Sequence, residues 1–236
     1  MATLQPLWAP SKTDKRILGN DLSRHNGPVV FELWELAEIP PEYTAIRGGV
    51  SWGYRDGFFD SYRRQLNLAR RLWIPYFVLA PKERIDLQVA AWQRILAGDR
   101  GPANGRIVLD VEVYGGSWGY PSKRDYTRAV GNALSECEKK LGKVPMIYSR
   151  PEFVRYRMEI GGYFNDVLWW MAQYTFTGRE HGGPVAKVAG IPPELVVIHQ
   201  TSQRGKGALY GTTSKAIDYD RWQGTPEQWS EIWTPT

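Results

Sequence analysis

Apolar positions along this 236-residue chain fall into short blocks of two kinds. Runs such as Ile74-Pro75-Tyr76-Phe77-Val78-Leu79 and Ile107-Val108-Leu109 are continuous and rich in β-branched or aromatic residues, the pattern of buried strands. Further strands are predicted at 17–18, 45–50, 144–148, 167–174 and 195–200, with the second run extending over 107–113. Between them the period changes to that of a helix. Tyr62, Leu66, Ala69 and Trp73 share one face of a predicted helix over 60–72. Ile85, Val89, Trp92 and Leu96 do the same over 85–96, with Gly98 as the stop. The helix predicted over 122–141 has its own punctuation: Ser122 and Asp125 resemble a capping box, and Gly142 suits the C-terminal cap.

Strands that alternate with helices imply an α/β protein with a largely parallel sheet. The number of units suits one modified, irregular TIM-like (β/α) barrel over 17–236, preceded by an extended arm over 1–16. The Gly- and Pro-rich stretch 178–193 is the long loop, and Trp222, Trp229 and Trp233 are expected to pack a final helix.

Composition narrows the picture modestly. Net charge is +5 with the basic residues scattered, and no nucleic-acid motif is present, so no nucleic-acid partner is expected. The chain contains 11 Trp and 13 Tyr, which serve a core or the flat faces that sugars stack on. Cys137 is the single cysteine, excludes an internal disulfide, and falls on the apolar face of the 122–141 helix. His25 and His199 are not spaced as a ligand pair, so neither a metal nor another cofactor is expected. No stretch is apolar enough to span a membrane, and 1–16 lacks the apolar segment of an ordinary signal peptide. The expectation is a monomer made in the cytoplasm.

The most informative feature is Asp110-Val111-Glu112 at the end of the 107–113 strand. Positions two apart share one face of a strand. Two carboxyl groups held close do not both ionise easily, so one keeps its proton to higher pH. A protonated acid beside a charged partner is the equipment for glycosidic cleavage. Asp21 and Asp218 also fall where strands end, and in a parallel barrel those ends converge on one rim.

Gly19-Asn20-Asp21-Leu22-Ser23-Arg24-His25-Asn26-Gly27 resembles the opening motif of the glycoside hydrolase family 25 lysozymes, the Chalaropsis-type muramidases. Val108 to Glu112 is similar to that family's acidic strand, and Val144-Pro145-Met146-Ile147-Tyr148-Ser149 to the strand after it. Leu168-Trp169-Trp170-Met171-Ala172-Gln173-Tyr174 and His199-Gln200-Thr201-Ser202 with Ile217-Asp218-Tyr219-Asp220 match its later segments, in order. The departures are Phe77 where the family often has His, His199 where Trp is usual, Asp220 where Asn is usual, and Ser51-Trp52-Gly53-Tyr54 in place of a turn with Lys and Glu. A missing polar group at Phe77 is expected to alter substrate contacts.

The resemblance implies hydrolysis of the β-1,4 bond between N-acetylmuramic acid and N-acetylglucosamine in bacterial peptidoglycan, without a cofactor. It implies Glu112 as general acid, Asp110 as its partner and Asp21 and Asp218 in the same cleft. Tyr76, Tyr148, Trp170 and Tyr174, which lie on barrel strands and otherwise serve the core, are expected with Gln200 as substrate-binding positions, Tyr148 and Tyr174 fitting best by motif. Both an inverting water and assistance by the substrate's N-acetyl group are compatible with this set. The rival readings are a non-catalytic glycan-binding or virion structural protein on the same fold, and a hydrolase for another N-acetylated glycan. The expected place of action is the cell wall, reached after release as a phage lysin or as part of a virion.

Overall fold

The computed structural model describes residues 7–97, 106–112, 121–175 and 179–233. Eight strands close a barrel: β1 (Leu18–Leu22), β2 (Tyr43–Val50), β4 (Leu72–Val78), β5 (Val108–Asp110), β6 (Met146–Ser149), β7 (Trp169–Ala172), β8 (Val196–Lys206) and β9 (Ala216–Trp222). A two-residue strand, β3 (Tyr54–Arg55), pairs with the end of β2. Pairing is parallel from β1 through β2 and β4 to β8, while β9 runs antiparallel to both β8 and β1 and seals the barrel. The helices are α1 (Leu33–Leu36), α2 (Phe59–Leu68), α3 (Ile85–Ile95), α4 (Lys123–Leu141), α5 (Pro151–Arg157) and α6 (Pro226–Trp233).

The alternation of side chains along each strand separates two apolar layers. Leu18, Ile46, Phe77, Leu109, Ile147 and Trp169 face outward and bury the apolar stripes of the helices. Tyr43, Ile74, Val108, Met146, Trp170 and Ile198 fill the barrel interior. Trp222, Trp229 and Trp233 meet edge to face or tilted, and Trp233 also contacts Tyr43, so α6 plugs one end of the barrel. Gly19 is required by this interior, since a Cβ there would lie 2.3 Å from the Tyr43 ring.

Helix α4 is capped as its sequence predicts. The Ser122 hydroxyl accepts the Asp125 N–H, and Gly142 closes the helix in the left-handed region at φ +83. Cys137 is buried on its inner face. The 60–72 helix is shorter than its periodicity predicts. It ends at Leu68, and the chain turns through Arg70 at φ +52, with the Arg71 N–H donating to Leu66 O at 2.9 Å. Leu72 and Trp73 therefore open β4. The Trp73 indole N–H donates to Asn67 Oδ1 at 2.7 Å, so this side chain, though at helical spacing from Leu66, reaches the helix from the neighbouring strand.

Strand bounds differ in the same local way. β5 stops at Asp110, β7 spans only Trp169–Ala172, and β6 runs from Met146 to Ser149. β8 continues to Lys206, far beyond the predicted 195–200, because its polar second half pairs with β9. Gly98, Val113 and Gly178 lie outside the described residues.

Residues 7–16 lie against β8 and β9. Trp8 bridges Gly205 and accepts from the Lys206 N–H, and Arg221 donates to the carbonyls of Ser11 and Arg16. No helix among the described residues is long and apolar enough to cross a membrane.

Candidate active site

The C-terminal ends of the parallel strands open into a cleft of about 320 Å³. Asp21 comes from β1, Arg47 from β2, Tyr76 from β4, Asp110 and Glu112 from the end of β5, Tyr148 and Arg150 from the end of β6, and Trp170 from β7. Tyr174 follows β7, Gln200 lies on β8 and Asp218 on β9. All nine side chains that the sequence nominates thus meet in one place. Val111, between the two acids, is buried in the outer layer, so Asp110 and Glu112 share the cleft side as strand geometry requires.

The tight turn after β1 shapes one wall. Ser23 caps it, with the Ser23 N–H donating to Asn26 Oδ1 at 2.8 Å and its hydroxyl accepting the His25 N–H. His25 and Asn26 are thereby held at the cleft.

Gln200 organises the floor. Its Oε1 accepts the Tyr148 hydroxyl at 2.9 Å and also the Tyr174 hydroxyl, which leaves Nε2 to donate to Asp21 Oδ2 at 2.7 Å. The two phenols therefore dictate which way the amide points. Trp170 lies beneath, edge to face with Tyr148 at 4.8 Å, and its N–H donates to the buried Asp220 at 2.9 Å.

The carboxyl groups are arranged to resist ionisation. Burial pushes Asp21 up to about 7, aided by the charge of Glu112 and opposed by the Gln200 hydrogen bond. Asp110 is driven well above the usual carboxylate range by burial and then by Glu112 and Asp21, and its Oδ1 is buried without a hydrogen-bond partner. Asp218 is raised in the same direction by burial and by the neighbouring Asp21. Glu112 lies at the mouth of the cleft. Its side chain is 28% exposed at the mouth, and its Oε2 lies 2.9 Å from Arg150 Nη2, an ionic approach rather than a well-directed hydrogen bond.

Sequence reasoning missed Arg47 and Arg150. Arg47 is a charge inside the apolar run Ala45–Val50, and Arg150 directly follows the 144–148 strand; both positions are signals of a strand-end site. The Phe77 expectation is corrected: that ring faces outward and stacks on Trp92 at 5.2 Å, so it does not touch the cleft. His199 also points out of the barrel, where Nε2 meets Gln173 O at 2.8 Å and Nδ1 meets Arg16 at 3.3 Å. Among the described residues, no group of three or more His, Cys, Asp or Glu side chains is placed to hold a metal ion.

The chain has the fold of the glycoside hydrolase family 25 lysozymes. It is similar to the family GH25 lysozyme of Aspergillus fumigatus, at 19% identity and TM-score 0.74 over 93% of this chain and 100% of that one. The family 25 glycosyl hydrolase of Bacillus anthracis aligns at 17% identity and TM-score 0.72 over 96% and 98%. The modular autolysin LytC of Streptococcus pneumoniae, solved with a synthetic peptidoglycan ligand, aligns at 14% and TM-score 0.71 over 89% of this chain and 47% of LytC. No family model matches the sequence. Curated relatives are the uncharacterized protein YegX of Escherichia coli: 40% identity over 121 residues in O157:H7, and over 67 residues in strain CFT073. Those matches span 38% and 22% of the relatives' length.

Proposed function

We propose that the chain is a peptidoglycan muramidase that hydrolyses the β-1,4 bond between N-acetylmuramic acid and N-acetylglucosamine. The observation that carries this reading is the meeting of Asp21, Asp110, Glu112 and Asp218 in one open cleft, with Glu112 partly exposed at its mouth and Asp21 and Asp110 buried behind it. A leaving oxygen enters from the open side, so the accessible carboxyl is the proton donor. In the reactive form Glu112 carries a proton and Asp110 is the carboxylate. Glu112 gives that proton to the glycosidic oxygen, the C1–O bond breaks with its electron pair going to that oxygen, positive charge grows at the anomeric carbon, and water adds there with its released proton taken up by a cleft carboxylate. Asp110, two residues back on the same side, faces that charge, and the developing cation favours its ionised form. Tyr148 and Tyr174, held by Gln200, line the cleft, and the fold shared with LytC, whose structure holds a peptidoglycan ligand, supports the choice of polymer. The setting we propose is the bacterial wall, attacked by a released phage lysin or by a virion component.

The test is digestion of purified peptidoglycan with identification of the new reducing end. Muramic acid at that end is the expected result. A glucosamine end, or no release by the wild-type chain, would overturn the assignment.

A further inference from the structure

Two guanidinium groups line the cleft, and they are not equivalent. Arg47 is committed: its Nε donates to Asp56 Oδ2 at 2.8 Å, Asp56 also accepts the Arg24 N–H, and the Arg47 side chain is only 12% exposed. Arg150 is half-used. Its Nη2 lies 2.9 Å from Glu112, its Nε is buried without a partner, and 43% of the side chain is exposed at the mouth. Nε and one Nη form the edge of a guanidinium that grips the two oxygens of a carboxylate. Here that edge faces one oxygen and leaves its second donor empty. A buried N–H left unpaired carries a desolvation cost that an incoming acceptor would recover. The backbone aims this fork, since Arg150 is the extended residue between β6 and α5 and Pro151 fixes the first helical position.

We propose that Arg150 is a specificity residue that receives a free carboxylate on the sugar, and that this exchange releases Glu112. The inference rests on the muramidase reading. N-acetylmuramic acid carries a lactyl ether whose carboxyl group is either free or joined to a peptide as an amide. A free carboxylate fills both donors of the fork and competes for its charge. An amide carbonyl is neutral, and it leaves Arg150 paired to Glu112. The preferred substrate is therefore glycan stripped of its peptides, which places this reaction after one that cleaves the amide between lactyl group and peptide.

The probes are peptide-free oligosaccharides of alternating N-acetylglucosamine and N-acetylmuramic acid, and the same oligosaccharides with each lactyl carboxyl converted to its methylamide. The wild type is expected to favour the free acid in kcat/KM by roughly tenfold, the worth of about 1.4 kcal/mol. Arg150→Gln should collapse that ratio to within about twofold, and Arg150→Lys, which keeps the charge but loses the fork, should retain part of it. Equal rates on the two probes in the wild type would overturn the proposal. So would an Arg150→Gln variant that slows both probes by the same factor, which is what a residue that merely steadies Glu112 would do. Calorimetric titration with the same pair separates the two readings. Charge-selective, Arg150-dependent binding without turnover sinks the hydrolase and keeps this role; turnover without selectivity does the reverse.

Discussion

Gln200 Nε2 lies 2.7 Å from Asp21 Oδ2, joining the second-to-last strand of the barrel to the first. The same amide accepts from Tyr148 and Tyr174, so one neutral side chain sets the position of two phenols and one carboxyl group. Gln200→Leu strands all three. Each unsatisfied group costs about 1–3 kcal/mol, so the melting temperature should fall and kcat/KM should drop at least about tenfold. Because the Gln200 bond lowers the Asp21 pKa, the carboxyl of Asp21 should also titrate above its wild-type value near 7, as carbon NMR of that side chain would read.

Glu112 and Asp110 make separable predictions. Glu112→Gln should reduce wall lysis by about 10²–10⁴-fold while leaving the melting temperature within a few degrees of wild type. Asp110→Asn should cost nearly as much. Full activity in the first variant would remove Glu112 from the acid role, and a mild effect of the second would point to another partner for the anomeric charge.

Asp220 tests the energetic burden of buried acids. Burial raises its pKa well above 3.8, as do the charges of Asp21 and Asp218. Between 3.8 and the raised value the folded chain holds a proton that the unfolded chain releases, so stability falls as pH rises through that window. Asp220→Asn removes the penalty and keeps an oxygen for the Trp170 N–H. The variant should melt a few degrees above wild type near pH 7, with the gain shrinking toward pH 4. Asp220→Leu leaves the indole N–H unpaired and should show no such gain. Thermal melts of all three chains across pH 4–8 decide the matter.

Arg221 ties the arm to the barrel. Its Nε donates to Glu180 Oε1 at 2.7 Å and lies 3.8 Å from Asp14 Oδ2, and all three side chains are buried. Burial would raise Asp14, yet the hydrogen bonds from Arg16 win and hold it below its usual value. Arg221→Met removes the cation that faces both acids. Breaking such a pair costs about 3–5 kcal/mol, so a loss on the order of 10 °C is expected by calorimetry.

The parts of the fold that were legible in the sequence are those governed by neighbours in the chain. Ser122, Asp125 and Gly142 announce α4 because caps act within a turn of the residues they serve. The alternation around Val111 announces the shared face of Asp110 and Glu112 for the same local reason. The end of α2 was less legible, since Trp73 has helical spacing from Leu66 but belongs to a strand that only the sheet creates. Likewise nothing apolar marks Ser202 to Lys206, whose strand exists because β9 returns alongside it.

The sequence by itself determined the alternating architecture and the acidic strand end, both read from period, capping and the spacing of carboxyl groups. Only the tertiary structure decided that Arg150 faces Glu112, that Gln200 reaches Asp21, and that Phe77 and His199 look away from the cleft. Those relations join residues tens to nearly two hundred positions apart. They depend on how the barrel closes, and burial then sets the charge on each acid.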